Sequence, residues 1–334
     1  MGWAIGSRWC HPDGGRWRTL IEANIAASAA LLSRCVFPTG PLVVAVSGGA
    51  DSLALMALAA ACRGSVLVTA IHVDHGLRAE SEAESGVVSA YARMLDVEFR
   101  SVKVNIAPGS NLEARARTAR YAALPPDVCT GHTADDLGET VLLNLIRGAG
   151  MDGLAAFARH RPGGVQRPIL HLRRAETVQL CAVLGWQPVD DPMNHDPRFR
   201  RVRMRTEVLP LLDDVAQRDV TAVLARQAPL AAEESDLLDA LAGEIDATDA
   251  LALTAAPRAL ARRCLRAWLV RSGVGDGHPL DGACVERALM VATGAAVSCD
   301  LVAGWSLRRT QQRLRLVGQP QTAGTTDAPR RAHQ

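Results

Sequence analysis

Features of secreted, membrane-bound and disulfide-rich proteins are missing from this 334-residue sequence. Its eight cysteines lie far apart and form no C-x-x-C pair, so neither a disulfide framework nor a zinc site is expected. The apolar runs are much shorter than the roughly 20 residues of a membrane span. The N-terminus lacks the basic-then-apolar order of a secretory signal. We therefore expect a soluble, cytoplasmic protein with reduced thiols and no membrane partner.

Lysine is nearly absent, because Lys103 is the only lysine among 37 basic side chains. An arginine bias of this kind, together with abundant alanine, is typical of a GC-rich genome. The formal net charge of +2 indicates no particular class of partner. A nucleic-acid surface must therefore be argued from clustered arginines and not from their total number.

What is present is an alternation of short apolar runs and helical patterns in residues 39–212. The predicted strands are 42–46, 66–73, 98–104 and 128–131, and the helical segments between them are 51–62, 81–95 and 111–124. Continuous apolar strands separated by helices favour βαβ units around a buried parallel sheet. The predicted fold class is therefore α/β, a parallel sheet with flanking helices.

The remaining segments have different patterns. Residues 1–38 are expected to form an extension followed by a helix within 19–35, and residues 319–334 are expected to be a disordered tail. Residues 213–318 are predicted to be a mainly helical domain that ends in a small antiparallel β-element. Its predicted helices are 215–231, 233–246 and 257–271, and its predicted strands are 297–301, 306–309 and 313–317.

The clearest chemical motif lies where the first predicted strand meets a helix, in the segment Ser47-Gly-Gly-Ala-Asp-Ser52. Two glycines allow the backbone to approach a ligand, and the free N–H groups of a helix start form an anion site. An ordinary βα turn would also use glycine. Asp51, however, would repel a phosphate there unless a divalent metal lay between them. The motif is neither a Walker loop nor G-x-G-x-x-G, and it indicates Mg²⁺-nucleotide chemistry.

Five ordered blocks of the sequence resemble the tRNA(Ile)-lysidine synthases, a family of PP-loop ATP pyrophosphatases. The S-G-G-x-D-S motif resembles the signature of the superfamily. The blocks that narrow the resemblance to the family are residues 71–78, 111–121, 131–150 and 191–205. The resemblance is strong over residues 40–212 and loose over the helical remainder. The sequence departs from the family pattern at Leu137 and Val202, where a glutamine and an asparagine are usual.

This resemblance implies a PP-loop, adenine nucleotide alpha-hydrolase-like domain and an ATP-dependent ligase. The implied partners are the isoleucine tRNA with a CAU anticodon and L-lysine; ATP and Mg²⁺ are the implied cofactors, and a homodimer is left open. In the implied reaction, the carbonyl oxygen at carbon 2 of the wobble cytidine attacks the α-phosphorus of ATP and pyrophosphate leaves. The lysine ε-amine then displaces AMP to give lysidine. A single-stranded anticodon base is accessible without melting a duplex.

The resemblance also implies roles for individual residues. The residues that would bind ATP are Ser47, Gly48, Gly49, Ala50, Asp51, Ser52, His75 and His132. Asp51 and Asp136 would also hold Mg²⁺. Glu139 would attract the lysine ammonium, while Arg201 and Arg205 would stabilise charge on the adenylate or the RNA. Asp51, Asp136, Glu139, Arg201 and Arg205 are therefore the predicted catalytic residues.

The acidic residues have a second interpretation that the sequence leaves open. Asp135, Asp136 and Glu139 open a predicted helix, where acids are favoured as caps and as partners of the helix dipole. Asp136 and Glu139 are three residues apart and so lie on one face of that helix. A shared metal or cationic substrate becomes the favoured interpretation only if Asp51 lies across the strand ends from them.

Several arginines are candidates for tRNA contact. Arg117 and Arg120 lie one helical turn apart, and five arginines fall within residues 198–205. Arg262, Arg263 and Arg266 recur at helical spacing near Trp268 and could follow a polynucleotide backbone. Solvent-exposed charge is the alternative for each group. It explains the spacing of Arg262, Arg263 and Arg266 equally well, whereas the resemblance favours phosphate contact for Arg117 and Arg120.

Two other functions compete with the ligase. The first is another tRNA modification of the same superfamily, such as thiolation, although the C-x-x-C pair expected for sulfur or cluster chemistry is missing. The second is a regulatory nucleotide-binding module without catalysis. Retention of Asp51, Asp136 and Glu139 disfavours it, because a sensor needs no metal-binding carboxylates.

Overall fold

The computed structural model describes residues 25–63, 67–74, 81–105, 112–155, 157, 163–275 and 280–318. The chain divides into two compact units, Met1–Ala232 and Glu233–Gln334. This division lies beyond the predicted boundary at residue 212. The reason is packing: Ala228 contacts the cluster around Leu137 and Val141, so the helix that contains Ala228 continues the first unit.

A parallel sheet forms the centre of the first unit. Strands β1 (Leu42–Ala45), β2 (Val68–Asp74) and β3 (Glu98–Lys103) lie in the order β1-β2-β3, and all neighbours are parallel. Val44 is aligned with Ala70 in this register. The predicted parallel sheet is therefore confirmed.

The sheet continues past the other edge of β1 through single-residue bridges. Cys129 pairs with Val44, and Gln166 pairs with Cys129, both in the parallel sense. The predicted strand 128–131 is thus only a bridge at Cys129, and the bridge at Gln166 was not predicted. Since β1 has neighbours on both sides, its carboxyl end lies at a switch point of the topology, where open α/β sheets place their ligands.

Helices cover this sheet, and their bounds agree with most of the predicted segments. They are α1 (Ile25–Leu32), α2 (Ala50–Arg63), α3 (Ser81–Met94), α4 (Leu112–Ala122), α5 (Ala134–Ile146), α6 (Met151–Ala155) and α7 (Arg174–Val183). The first turns of α2 and α5 follow β1 and the Cys129 bridge, and so lie at the switch point. Leu53 and Leu55 of α2 are fully buried, because this helix packs between the sheet and α7.

A second group of helices follows α7 in the chain. A 3₁₀ turn at Pro192–Asn194 leads to α8 (Arg200–Arg203), a single π-helical turn at Met204–Val208, α9 (Leu209–Ala216) and α10 (Val220–Gly243). The sequence predicted two helices, 215–231 and 233–246, where the structure has α9 and the long α10. The predicted break at residue 232 is wrong. Ala231 and Ala232 pack against Ala155, and the helix continues past Pro229 without ending.

The second unit contains α11 (Ala250–Ala255), α12 (Arg258–Arg271), α13 (Gly282–Thr293) and the strands β4 (Ser298–Asp300), β5 (Ser306–Thr310) and β6 (Arg313–Val317). The three strands form an antiparallel sheet in sequential order, as predicted. Pro257 precedes α12, which confirms the predicted helix start. The predicted tail lies outside the described residues.

In the described part of the chain, no helix has the length and apolar character that a membrane span requires.

Candidate active site

The loop between β1 and α2 is held in shape by its own side chains. The Ser52 hydroxyl donates to the Gly49 carbonyl at 2.9 Å and accepts from the Ser47 backbone N–H at 3.1 Å. Gly48 has a φ of +94°, and a Cβ added there would lie 3.0 Å from Val189 Cγ2. The loop therefore requires glycine at this position for two reasons, its backbone conformation and the close approach of Val189.

The switch point is narrow beside this loop. A Cβ added at Gly131 would lie 2.8 Å from the backbone carbonyl carbon of Asp51. Only glycine allows the segment after the Cys129 bridge to approach the first turn of α2 this closely. This contact places Asp51 close to the first turn of α5. A site shared by Asp51, Asp136 and Glu139 requires this arrangement.

The two carboxylate oxygens of Asp136 have different partners. Its Oδ2 accepts hydrogen bonds from the backbone N–H of Thr133 at 2.9 Å and from the Thr133 hydroxyl at 3.2 Å, which caps α5. Its Oδ1 faces away from the cap and accepts from Arg174 at 2.9 Å. Helix capping and participation in the site are therefore compatible.

Asp51 and Asp136 differ in their electrostatic state. Burial raises the pKa of Asp51, and the lowering contributions of Arg174 and Thr177 do not cancel this effect. Burial acts on the pKa of Asp136 in the same direction, but the Arg174 guanidinium and the backbone N–H of Thr133 bring it below the usual value. Asp136 is therefore ionised at neutral pH, and Asp51 is the carboxyl that depends more on a nearby cation.

Glu139 is fully buried and is surrounded by guanidinium groups. Its Oε1 accepts a hydrogen bond from Arg205 Nε at 2.8 Å, and Arg174 also contacts this oxygen. Its Oε2 has no hydrogen-bond partner among the described residues, and Arg201 Nη1 lies 3.8 Å from it. One oxygen of a buried carboxylate thus retains an unused acceptor, which is costly unless a ligand donates to it.

The predicted arginine cluster at 198–205 separates into two groups. Arg201 and Arg205 point toward Glu139, and Arg201 also donates to the Thr140 hydroxyl at 3.2 Å. Arg198 and Arg203 instead pair with the nearby acids Asp196 and Glu207 and are largely exposed. The π-helical turn at Met204–Val208 carries Arg205, and such turns are frequent at functional sites.

Arg174 connects the acidic residues and was missed by the sequence analysis. Its Nε donates to Asp51 Oδ2 at 3.1 Å, and its two terminal nitrogens donate to Asp136 at 2.9 Å and to Glu139 at 3.4 Å. We call Asp51, Asp136 and Glu139 the carboxylate cluster. Thr177, one turn further along α7, hydrogen-bonds the other oxygen of Asp51 and was also missed.

A sequence signal for Arg174 did exist. Arg173 and Arg174 stand at the start of α7, where the helix dipole disfavours positive charge. Two arginines in that position indicate carboxylate partners elsewhere in the fold. The structure supplies them, because Asp135 pairs with Arg173 and also accepts from the Arg174 backbone N–H at 2.7 Å.

The donor set fits a magnesium ion that phosphates complete. Asp51 Oδ2 and Asp136 Oδ1 converge on one cationic group, so both oxygens can face a single ion. Mg²⁺ in nucleotide sites is commonly held by one or two carboxylates together with substrate phosphates. Within the described ranges no group of three or more His, Cys, Asp or Glu residues is arranged to hold a metal by itself.

Of the two histidines predicted to bind ATP, the structure describes only His132. His75 lies outside the described residues. His132 contacts the Thr130 hydroxyl through Nδ1 at 2.7 Å, and its ring lies 5.0 Å from that of Phe157. Burial lowers the pKa of His132 to about 4, despite the opposing charge of Asp136. The imidazole is therefore neutral at physiological pH, and it lies beside the carboxylate cluster.

Of the two arginines predicted on α4, Arg117 lies near this histidine. The positive charges of Arg117, Arg167 and Arg201 all act on His132, which places α4 on the same side of the unit as the site. The guanidinium of Arg117 lies 5.0 Å from the centre of the Tyr121 ring. Arg120 and Arg117 are both exposed. Arg167, which packs over Phe157 at 4.3 Å, was not predicted.

The predicted arginines of α12 belong to the second unit and are partly neutralised there. Arg262 pairs with Glu286, which also binds Arg258 at 2.7 Å. Arg263 is only 15% exposed and pairs with Asp239 at 2.6 Å. Arg266 is exposed. The three therefore differ in how readily they could meet a phosphate.

The two departures from the family pattern are both buried. Leu137 packs with Val141 and Ala228, and Val202 is also in the interior. Apolar packing takes the place of the side-chain hydrogen bonds that glutamine and asparagine would make at these positions. The carboxylate cluster and its arginines form without them.

Comparisons with known proteins identify the family to which the chain is similar. Residues 22–212 match the family described as the PP-loop domain. A tRNA(Ile)-lysidine synthase of Nocardia farcinica is 46% identical over 245 residues, which cover 70% of this chain and 76% of the relative. A tRNA(Ile)-lysidine synthase of Mycolicibacterium paratuberculosis is 42% identical over 270 residues, which cover 77% of this chain and 81% of the relative.

A solved structure shares the fold at much lower identity. The U34-tRNA thiolase NcsA from Methanococcus maripaludis, solved with its [4Fe-4S] cluster, superimposes with a TM-score of 0.50 at 14% identity. The match covers 64% of this chain and 80% of the thiolase. At this identity the likeness concerns the fold alone.

Proposed function

The chain belongs to the tRNA(Ile)-lysidine synthase family of PP-loop enzymes, and on that premise we propose which of its residues perform each part of the reaction. The enzyme uses ATP to join lysine to the wobble cytidine of the isoleucine tRNA with a CAU anticodon. The observation that carries the assignment of residues is the meeting of Asp51, Asp136 and Glu139 beside the loop at Ser47–Ser52.

The loop and the first turn of α2 are proposed to bind the ATP phosphates. Backbone N–H groups at a helix start favour anions, and the Ser47 and Ser52 hydroxyls lie 3.3 Å apart at the same place. Asp51 and Asp136 would hold Mg²⁺, which neutralises charge on the leaving pyrophosphate when it is bound. His132 is proposed to lie beside the nucleotide as a neutral group, because its low pKa keeps it uncharged near the phosphates.

Arg205 and Arg201 are proposed to act at the α-phosphate. Arg205 uses Nε to bind Glu139, and among the described residues its two terminal nitrogens have no hydrogen-bond partner. A guanidinium anchored in this way keeps a planar pair of donors for phosphate oxygens. Preorganised donors of this kind stabilise the extra negative charge of the transition state.

Glu139 is proposed to receive the lysine ammonium through Oε2. This oxygen is buried and has no hydrogen-bond partner within the described ranges. An ammonium group that donates to it would satisfy a polar atom that is otherwise costly to bury. The ε-amine must lose a proton before it attacks the adenylated cytidine, and Glu139 lies where it can position that group.

Thiolation, the alternative within the superfamily, is disfavoured by the state of two buried cysteines in the described part of the first unit. Burial raises the pKa of the Cys129 thiol and that of the Cys181 thiol to about 12 each. These thiols are therefore protonated and unreactive at neutral pH.

The direct test of the function is incorporation of radiolabelled lysine into an isoleucine tRNA transcript with a CAU anticodon. We expect incorporation only with ATP present, and release of one AMP per lysine. A matched transcript with uridine at the wobble position serves as the control and should accept no lysine. Labelling of both transcripts, or labelling without ATP, would contradict the proposal.

The arginines of α12 are proposed to contribute tRNA affinity and no chemistry. Replacing Arg262, Arg263 and Arg266 together with alanine should weaken tRNA binding and flatten its dependence on salt. Each lost phosphate contact reduces the slope of log Kd against log salt by about 0.7–0.9. Filter binding at several salt concentrations measures that slope.

Glu286→Gln is the matched variant for this prediction, because it releases Arg258 and Arg262 from their carboxylate partner. If these side chains contact phosphates, this variant should bind tRNA more tightly than the wild type. If the slope is unchanged in the triple variant and the affinity is unchanged in Glu286→Gln, the arginines of α12 are solvent-exposed charges that do not contact tRNA.

A further inference from the structure

One guanidinium, that of Arg174, contacts all three members of the carboxylate cluster. Each nitrogen of Arg174 donates to a different acid, with distances of 3.1 Å to Asp51, 2.9 Å to Asp136 and 3.4 Å to Glu139. These acids come from two helices, α2 and α5. Arg174 itself begins a third helix, α7, so its side chain ties together three separate parts of the fold.

The backbone of Arg174 is fixed independently of this side chain. Asp135 accepts from the Arg174 N–H at 2.7 Å and also binds the Arg173 guanidinium, which in turn pairs with Asp219. The helix start is therefore anchored even when the Arg174 side chain changes partner. A side chain on a fixed backbone position can exchange ligands without unfolding the helix.

The position of Arg174 conflicts with a metal ion at the same oxygens. The oxygens Asp51 Oδ2 and Asp136 Oδ1, which the proposed function assigns to Mg²⁺, are the ones that this guanidinium occupies. Mg²⁺ binds carboxylate oxygen at about 2.0–2.1 Å, so one oxygen pair cannot hold both cations at one position. Without either cation, the carboxylates of Asp51 and Asp136 would repel each other in a poorly solvated space.

We propose that Arg174 is a built-in counter-cation that occupies the metal position in the nucleotide-free enzyme and yields it to Mg²⁺ only when ATP binds. The inference rests on the proposed roles of Asp51 and Asp136. Phosphate oxygens supply the additional ligands that a divalent ion needs, and they offer the released guanidinium a new anionic partner. Arg174 is thus a positioning residue that makes metal binding depend on the nucleotide.

The test measures Mn²⁺ binding to the full chain by electron paramagnetic resonance of the free ion. The wild type should bind Mn²⁺ weakly alone and tightly with an ATP analogue that carries a methylene bridge between the α- and β-phosphorus. Arg174→Gln should bind one Mn²⁺ without the analogue at least about 10-fold more tightly than the wild type. Adding Asp51→Asn to Arg174→Gln should abolish this gain.

Arg173→Gln is the matched control, since it removes an adjacent arginine with carboxylate partners but leaves the contacts of Arg174 with the carboxylate cluster. It should bind Mn²⁺ as the wild type does. Thermal melting gives a second readout: Mn²⁺ should raise the melting temperature of Arg174→Gln and leave that of Arg173→Gln unchanged. A purely structural arginine would give no such metal-dependent recovery.

The outcomes distinguish this inference from the function on which it rests. Equal Mn²⁺ affinity of Arg174→Gln and wild type without the analogue, or tight binding by the wild type alone, overturns the inference. The proposed metal ligands still stand if the wild type binds Mn²⁺ with the analogue. No binding even with the analogue overturns both. If Arg174→Gln does not fold, Arg174→Lys replaces it, with an expected intermediate affinity; a wild-type affinity then overturns the inference.

Discussion

Asp51→Asn and Asp136→Asn each remove lysine incorporation, with an expected loss of at least about 10³-fold in turnover. A metal that neutralises the leaving pyrophosphate supplies several kcal/mol of transition-state stabilisation, and each factor of ten corresponds to about 1.4 kcal/mol. Asparagine keeps the size of the side chain and an oxygen acceptor but loses the charge. Lysine incorporation and thermal melting, measured on the same preparations, test this result.

The two oxygens of Asp136 make its variants informative. Asp136→Asn can still accept from Thr133 and cap α5, whereas Asp136→Ala loses the cap, which costs about 1 kcal/mol of stability. Both variants should be inactive, but only the alanine should lose the cap contribution. Asp135→Asn is the control, because Asp135 binds Arg173 and does not face the proposed metal position. This variant should have a lower melting temperature than the wild type but should keep most of its turnover. Near-wild-type turnover in Asp51→Asn or Asp136→Asn would remove the metal assignment.

Arg205→Lys should be impaired nearly as strongly as Arg205→Ala, by about 10²–10³-fold in the rate of adenylation. The structure gives the reason, because Nε of Arg205 is used by Glu139 and only the terminal nitrogens remain for a phosphate. A lysine side chain has only one nitrogen. If that nitrogen pairs with Glu139, no planar pair of donors is left for the transition state. Single-turnover formation of adenylated tRNA without lysine isolates this step.

Arg203→Lys is the matched control for this experiment. Arg203 lies two residues away on the same helical segment, but it is exposed and pairs with Glu207. Its lysine variant should adenylate tRNA at the wild-type rate. If Arg205→Lys and Arg205→Ala both adenylate tRNA at the wild-type rate, Arg205 does not act at the phosphate. Its role would then be to position the tRNA or to anchor Glu139.

The sequence predicted those parts of the fold whose patterns are local. The strands β1 to β3 are short apolar runs between helices, and their parallel pairing follows from that alternation. The antiparallel strands of the second unit were predicted for the same reason. The long helix α10 was divided wrongly, because its continuation depends on alanines that pack against Leu137, Val141 and Ala155, and such packing has no local pattern.

The candidate site was predictable to the extent that its residues lie in motifs. Asp51, Asp136 and Glu139 were found because they stand in S-G-G-x-D-S and at the start of a helix, and the structure brings them together. Arg174 and Thr177 were missed. The two arginines at the start of α7 indicate carboxylate partners without identifying them, and the partners become clear only from the approach of α7 to α2 and α5. Long-range ion pairs of this kind depend on the tertiary fold.

The hydrogen bonds of Ser52 with its own loop have a consequence for the thermodynamics of nucleotide binding. A phosphate loop that is already ordered loses little conformational entropy when its ligand arrives, so less of the interaction energy is spent on fixing the backbone. The Ser47 backbone N–H already donates to the Ser52 hydroxyl at 3.1 Å. A phosphate oxygen that accepts from this N–H must therefore displace the Ser52 hydroxyl. ATP binding should therefore show a small entropy penalty and an enthalpy reduced by that one exchanged hydrogen bond.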